Sequence, residues 1–380
     1  MAPFLSLGVW QQKKQLFLLL IASLWVIPHA VACYTSVFSF GDSLADTGNR
    51  YFSSDGASHS FFPPYGETYF GHPTGRSSNG RLIIDFISQA LGIPFLKPYL
   101  GIKIGTVKDW SIEEGVNFAV AGATALDVDF LKEKDVLIRT NYSLKVQLHC
   151  FKEFLSYLFN HSSSSTRKFL GSSLFLVGEI GGNDYNHAFE EGKSIEEVHT
   201  FVPFVINTIS STISELIDLG AQTVLVPGNL PLGCNAIFLT LYESKNIEDY
   251  DAYGCLKWLN KFAEYHNEKL YSELVRLQEL NPSVNIIYAD YYNAALSLYH
   301  SPQQYGFIDL KACCGSGGPY NYNASAVCGE PGLAACDDPS QYISWDGVHL
   351  TEAAYEWIAK GLSDGTYTVP RISTLCVSQI

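Results

Sequence analysis

Short apolar runs alternate along this chain with longer stripes spaced at three and four residues. Val37–Phe40 is a compact, mostly apolar run of the kind a buried strand needs, and it stops abruptly at Gly41-Asp42-Ser43. Val116–Val120, Ser173–Val177, Gln222–Val226 and Val284–Ala289 repeat that signature, each ending near a glycine, proline or acid. Between them lie helical patterns. In Gly80–Leu91, residues Leu82, Ile83, Phe86, Ile87 and Ala90 fall on one face. Leu144–Phe159, Phe201–Leu219, Cys255–Leu280 and Thr351–Leu362 follow the same spacing. Gly220 is placed to end the third stripe, Asn281-Pro282 the fourth, and Thr351 to open the last. Strands alternating with helices predict a largely parallel sheet with helices on both faces. Neither a repeat nor an interdomain linker interrupts the pattern, so residues 33–380 read as a single domain. The long connections follow predicted strands, on the side where an open α/β sheet binds its ligands. One of them, roughly 53–79, carries Phe61-Phe62-Pro63-Pro64-Tyr65, which suits either a cleft wall or a satellite hydrophobic cluster.

The first 32 residues depart from this pattern. Lys13 and Lys14 precede a short apolar run, Leu16–Ile27, and Ala30-Val31-Ala32 offers a small-residue cleavage site, so residues 1–32 read as a secretory signal peptide. A retained membrane anchor is the alternative, and no later stretch reads as a bilayer span. Losing this leader takes the formal charge from −14 to −16, which disfavours nucleic acid and anionic membrane surfaces as partners. All nine cysteines lie at or beyond Cys33; in an exported chain they suggest disulfides, with an odd thiol left over. Cys234 and Cys255 form the preferred pair. Cys313, Cys314, Cys328 and Cys336 crowd one loop with their connectivity open, and Cys150 has no obvious partner. The absence of C-x-x-C spacing argues against zinc. Asn141, Asn160 and Asn323 begin glycosylation sequons.

Ser43 stands just past the first strand, where a hydroxyl is exposed at the carboxyl edge of the sheet. It is a nucleophile candidate; the bland reading is a polar turn capped by Ser43 or Asp46. A serine hydroxyl needs a base, an acid to orient that base, and donors for the oxyanion. D-x-x-H spacing occurs at Asp346–His349 and at Asp184–His187. The first precedes the last helix and suits a base with its partner; the second reads as a solvated loop pair. Gly122 and Asn183, at glycine-rich breaks after two strands, are oxyanion-donor candidates. The site lacks the last glycine of G-x-S-x-G, and the chain has no H-E-x-x-H and no P-loop; neither a metal nor an organic cofactor is expected.

Four segments in order, Phe40-Gly41-Asp42-Ser43-Leu44, Asn117–Ala123, Gly181-Gly182-Asn183-Asp184 and Asp346-Gly347-Val348-His349, resemble the signature blocks of the GDSL esterase/lipase (SGNH hydrolase) family. The surrounding text is similar to its secreted plant branch, in the sinapine-esterase-like and acetylajmalan-esterase-like group. The resemblance implies a three-layer α/β/α, flavodoxin-like fold with a mainly parallel five-stranded sheet. It implies Ser43 as nucleophile, His349 as base and Asp346 as its orienting partner. It also implies an oxyanion hole from the Ser43 and Gly122 backbone N–H groups and the Asn183 side chain. The expected protein is therefore a secreted, glycosylated serine esterase acting on a small-molecule ester. Small or aromatic acyl esters, such as a phenolic choline ester or an acetylated alkaloid, are the suggested substrates, with lipids a further class. An acyltransferase using the same site, or a non-catalytic ligand-binding or defence protein, are the alternatives; oligomeric state is left open.

Overall fold

A computed structural model of the chain describes residues 34–159, 164–308 and 310–372. The expected leader, Cys33 and the sequon at Asn160 lie outside the described residues. Seven strands form one sheet: β1 (Ser36–Phe40), β2 (Lys97–Pro98), β3 (Gly115–Asn117), β4 (Ser173–Val177), β5 (Thr223–Pro227), β6 (Asn285–Ala289) and β7 (Thr368–Val369). Their order across the sheet is β2-β3-β1-β4-β5-β6-β7, parallel throughout except for the antiparallel β6–β7 pair. The expected five strands are the inner ones. The two additions are edge strands of two residues each, too short to carry a period-2 signal.

Successive side chains of a strand point to opposite faces, and the core divides accordingly. Phe38, Phe40, Phe175, Val177, Val224 and Val226 face one helical layer. That layer contains α2 (Leu144–Leu158), α4 (Val202–Leu219) and α5 (Lys257–Leu280). Val37, Leu174, Leu176, Leu225 and Ile287 face the other, built from α1 (Ile83–Ala90), α6 (Tyr291–His300) and α7 (Glu352–Ser363). The result is a three-layer α/β/α sandwich. A further helix, α3 (Gly182–Glu190), begins just beyond β4 and packs Tyr185, Ala188 and Phe189 into the first of these cores.

Several expected boundaries move for local reasons. The strand expected to run to Val120 ends at Asn117, whose side chain turns back to accept from Ala119 N–H and donate to the Ala45 carbonyl. The stripe beginning at Gly80 becomes helical only at Ile83, because Asp85 accepts the Leu82 N–H and fixes the start there. Gly220 ends α4 at φ 125°, and Thr351 caps α7 by accepting from Ala354 N–H, both as expected. Beyond the leader, no stretch is expected to span a membrane. The helical stretch Ile195–Leu219 is long and apolar enough, by length and composition, to cross a membrane, yet half of its most apolar window is buried within the protein. Val205, Ile209, Ile213 and Leu216 of that stretch are core residues.

The chain runs from β1 out to the edge at β2, returns through β3, and then crosses to β4 on the far side of β1. This reversal leaves a crevice at the carboxyl ends of β3, β1 and β4, the place where a doubly wound sheet accepts ligands. Ser43 follows β1, Gly122 follows β3 and Asn183 follows β4.

Candidate active site

Ser43 sits on a tight turn made possible by its neighbours. Gly41 has φ 150°, and a Cβ there would lie 2.0 Å from the Gly178 carbonyl oxygen, so only glycine lets β1 and β4 approach. Gln147 of α2 clamps this glycine, accepting its N–H at 2.9 Å and donating to its carbonyl at 2.8 Å. Asp42 N–H donates to the Glu179 carbonyl, and the Asp42 carboxylate accepts from Leu44 N–H. Asp46 does the capping foreseen for the bland reading: its carboxylate collects the N–H groups of Gly48, Asn49 and Arg50, and also that of Ala121. The serine hydroxyl is thereby left for other work.

That hydroxyl lies 2.8 Å from Nε2 of His349. The other ring nitrogen, Nδ1, lies 2.7 Å from Oδ2 of Asp346. A turn of four residues brings the acid and the base together. Oδ1 of Asp346 accepts the N–H groups of Val348 and His349, and Trp345 N–H donates to the His349 carbonyl. Gly347 makes this turn at φ 95°, where a Cβ would meet the Tyr322 ring at 2.4 Å. Tyr65 donates a further hydrogen bond to Asp346 Oδ2 at 2.7 Å.

Burial opposes charge on His349, but the Asp346 carboxylate beside it, helped by Asp42, outweighs this and raises the imidazole above its ordinary value. Burial likewise pushes Asp346 up, and His349 with three hydrogen-bond donors more than reverses it, holding the carboxyl low. Burial lifts Asp42 to about 7 and Glu179 well above the ordinary carboxyl range.

The Asn183 amide donates to the Ala123 carbonyl at 2.9 Å and to Asp42 Oδ2 at 3.2 Å. Ser43, Asn183 and His349 line one cavity of about 40 Å³, together with Asn229, Leu230 and Val348. Gly122 is not in that lining. Its N–H and that of Ser43 donate to no protein acceptor among the described residues. A larger cavity, about 320 Å³, lies between Tyr253, Tyr299 and Tyr320 and touches none of these residues.

The second D-x-x-H pair requires correction. Asp184 and His187 are both buried, on α3 rather than on a solvated loop. Asp184 accepts the N–H groups of Ala125 and Leu126, tying β3's exit to α3, and burial pushes His187 down to about 3. The expected Cys234–Cys255 disulfide is present; Cys313 joins Cys336, Cys314 joins Cys328, and Cys150 is free and buried. Asn141 and Asn323 are exposed. Of the aromatic run at 61–65, Tyr65 packs in a satellite cluster with Cys313, Cys314, Cys328 and Trp345, whereas Phe62 is half exposed and Phe61 meets Tyr51. Sequence reasoning missed Gln147 and the role of Tyr65. The only signal for Gln147 was a polar residue on the apolar face of α2.

The model of the GDSL-like lipase/acylhydrolase family matches residues 37–362. A GDSL esterase/lipase of Arabidopsis thaliana is 54% identical over 352 residues, covering 91% of this chain and 88% of the relative. The sinapine esterase of Brassica napus is 50% identical over 351 residues, with 90% and 89% covered. Among solved structures, an acetylxylan esterase of Geobacillus stearothermophilus matches 86% of this chain and 91% of its own, at 13% identity and a TM-score of 0.35.

Proposed function

This chain belongs to the GDSL-like lipase/acylhydrolase family, and from that premise we propose that it is a secreted serine esterase working through Ser43, His349 and Asp346. That it is a carboxylic ester hydrolase follows from the family and its esterase relatives. The observation that carries the catalytic assignment is the unbroken hydrogen-bonded line from Ser43 Oγ to His349 Nε2 at 2.8 Å and from Nδ1 to Asp346 at 2.7 Å.

In this reading His349 Nε2 takes the proton of Ser43 as Oγ bonds to the ester carbonyl carbon. The carbonyl oxygen becomes an oxyanion facing the Ser43 N–H, the Gly122 N–H and the Asn183 amide. The imidazolium, stabilised by Asp346, returns its proton to the departing alcohol as the C–O bond breaks. Water, deprotonated by His349, then attacks the acyl-serine, and the serine recovers its proton. No metal or organic cofactor enters these steps.

The proposed substrate class is a small or aromatic carboxylic ester, in line with the sinapine esterase relative, with lipids a further class. Secretion is supported by the leader pattern, by three disulfides and by exposed sequons at Asn141 and Asn323.

Fluorophosphonate labelling and turnover of p-nitrophenyl acetate by wild type and Ser43→Ala test the assignment. Both signals are expected to vanish together, with kcat reduced by at least about four orders of magnitude. A Ser43→Ala protein that still labels or turns over removes Ser43 from the mechanism.

A further inference from the structure

Asp346 serves as acceptor for two side chains, and only one of them belongs to the hydrolytic line. Its Oδ2 receives His349 Nδ1 at 2.7 Å and the Tyr65 hydroxyl at 2.7 Å. The two donors share one oxygen, while Oδ1 is occupied by backbone N–H groups of Val348 and His349. Tyr65 is 5% exposed and its ring meets Trp345 edge-on at 5.8 Å. The ring is enclosed by Cys313, Cys314 and Cys328. The same cysteine loop holds the acid's own segment: Cys313 N–H donates to the Ser344 carbonyl at 3.0 Å and Cys314 N–H to that of Trp345 at 2.7 Å. Donor and acceptor are therefore set in one disulfide-linked frame.

We propose that Tyr65 is a positioning residue for ester hydrolysis: its hydroxyl fixes the Asp346 carboxylate against His349 and sets how strongly that carboxylate holds the imidazolium. This rests on the assignment of Ser43, His349 and Asp346 above. A buried phenol is a permanent donor over the working pH range, and burial with the Asp346 charge keeps Tyr65 neutral. Its hydrogen bond draws charge from Oδ2 and closes the side on which the carboxylate could rotate away. Without it, Oδ2 is a stronger base, and the imidazolium beside it is held more tightly. The other titratable groups around the pair are Asp42 and Glu179 beneath Ser43, with Tyr322 and Tyr355. None of these donates a side-chain hydrogen bond to Asp346 among the described residues.

The test compares wild type, Tyr65→Phe, Asp346→Asn, and a protein carrying 3-fluorotyrosine at position 65, using p-nitrophenyl acetate from pH 5 to 9. Tyr65→Phe is expected to lower kcat about tenfold with KM within about twofold, and to move the acid limb of kcat/KM up by about half a pH unit. The fluorinated ring keeps the packing and is a stronger donor, so it should move that limb down. A limb that stays in place in both variants, or a Tyr65→Phe kcat within twofold of wild type, overturns the proposal. Asp346→Asn separates the two layers. If it loses about ten-thousandfold while Tyr65→Phe is silent, only the role of Tyr65 falls. If Asp346→Asn is itself active, the assignment beneath it falls.

Discussion

The Asn183 carboxamide is already committed before substrate arrives, and its two bonds are unequal. The one to the Ala123 carbonyl, at 2.9 Å, anchors the amide; the one to Asp42, at 3.2 Å, is the weaker and points the second N–H toward the nucleophile's turn. In the proposed mechanism, the oxyanion forming at Ser43 competes with Asp42 for that second hydrogen. Asn183→Ala should lower kcat about 10²–10³-fold with little change in KM, since the lost bond strengthens only as charge develops. Steady-state kinetics on p-nitrophenyl acetate reads this directly; a loss under threefold would take Asn183 out of the oxyanion hole. Ser43, Asn183, Asp346 and His349 were legible in the sequence because each stands where an apolar pattern breaks, within a recognisable local block. Tyr65 was not. It acts on a residue 281 positions away, and no local spacing encodes a contact made by the closing of a fold. The Asp184–His187 pair misled for the converse reason: its spacing matched that of Asp346–His349, but α3 turns it into the core.

Among the elements, the junction of β1 with α2 governs how firmly the nucleophile is held. Gln147 bridges both polar groups of the Gly41 peptide from across the core, and it is 1% exposed. Replacing it with alanine strands the buried Gly41 N–H, and leaves the carbonyl only its bond from Val120 N–H. A buried donor without a partner costs about 1–3 kcal/mol, and Gln147→Ala should destabilise the fold by that amount in urea unfolding. Because the same peptide leads into Asp42 and Ser43, kcat should fall as well, even at temperatures where the variant is fully folded. Retained stability and retained rate together would show that the Gly41 turn holds itself. Element type was readable wherever an apolar period ran long enough, as in α2, α4, α5 and α7. What escaped were elements whose signal is short or masked: the two-residue edge strands, and α3, whose first turn is disguised as a glycine-rich break. Polar clamps like Gln147 escape for another reason, since a buried amide on a helix face looks like an interruption until its partner is known.

At the scale of the whole molecule, stability and activity are expected to respond to pH in opposite directions. Burial raises Asp42 to about 7, Asp46 to about 6, Asp184 to about 7 and Glu179 well above its ordinary value. Each binds its proton more tightly folded than unfolded, so each subtracts stability as pH climbs from about 4 through those values. Burial lowers His187 and His266 to about 3, and these work the other way, adding stability as pH rises from about 3 to 6.5. Their contribution is complete by neutrality, whereas the acid groups continue to cost stability up to and beyond 7. Net charge adds to this. The chain carries −14 at pH 7, against a pI near 5.1, so raising the pH builds self-repulsion. The melting temperature should therefore be higher at pH 5.5 than at pH 8. The proposed mechanism requires the reverse, because in it His349 must be neutral to accept the Ser43 proton, and its neighbours raise its pKa. The acid limb of kcat/KM should accordingly lie above the 6.5 of an ordinary imidazole, in the range where the fold is already losing stability. Thermal melts and rates taken on the same samples at half-unit intervals from pH 5 to 9 decide the matter. A melting temperature that is flat or rising from pH 5.5 to 8 would show that the buried carboxyls do not titrate with the fold. A limb below 6 would show that Asp346 does not hold the imidazolium.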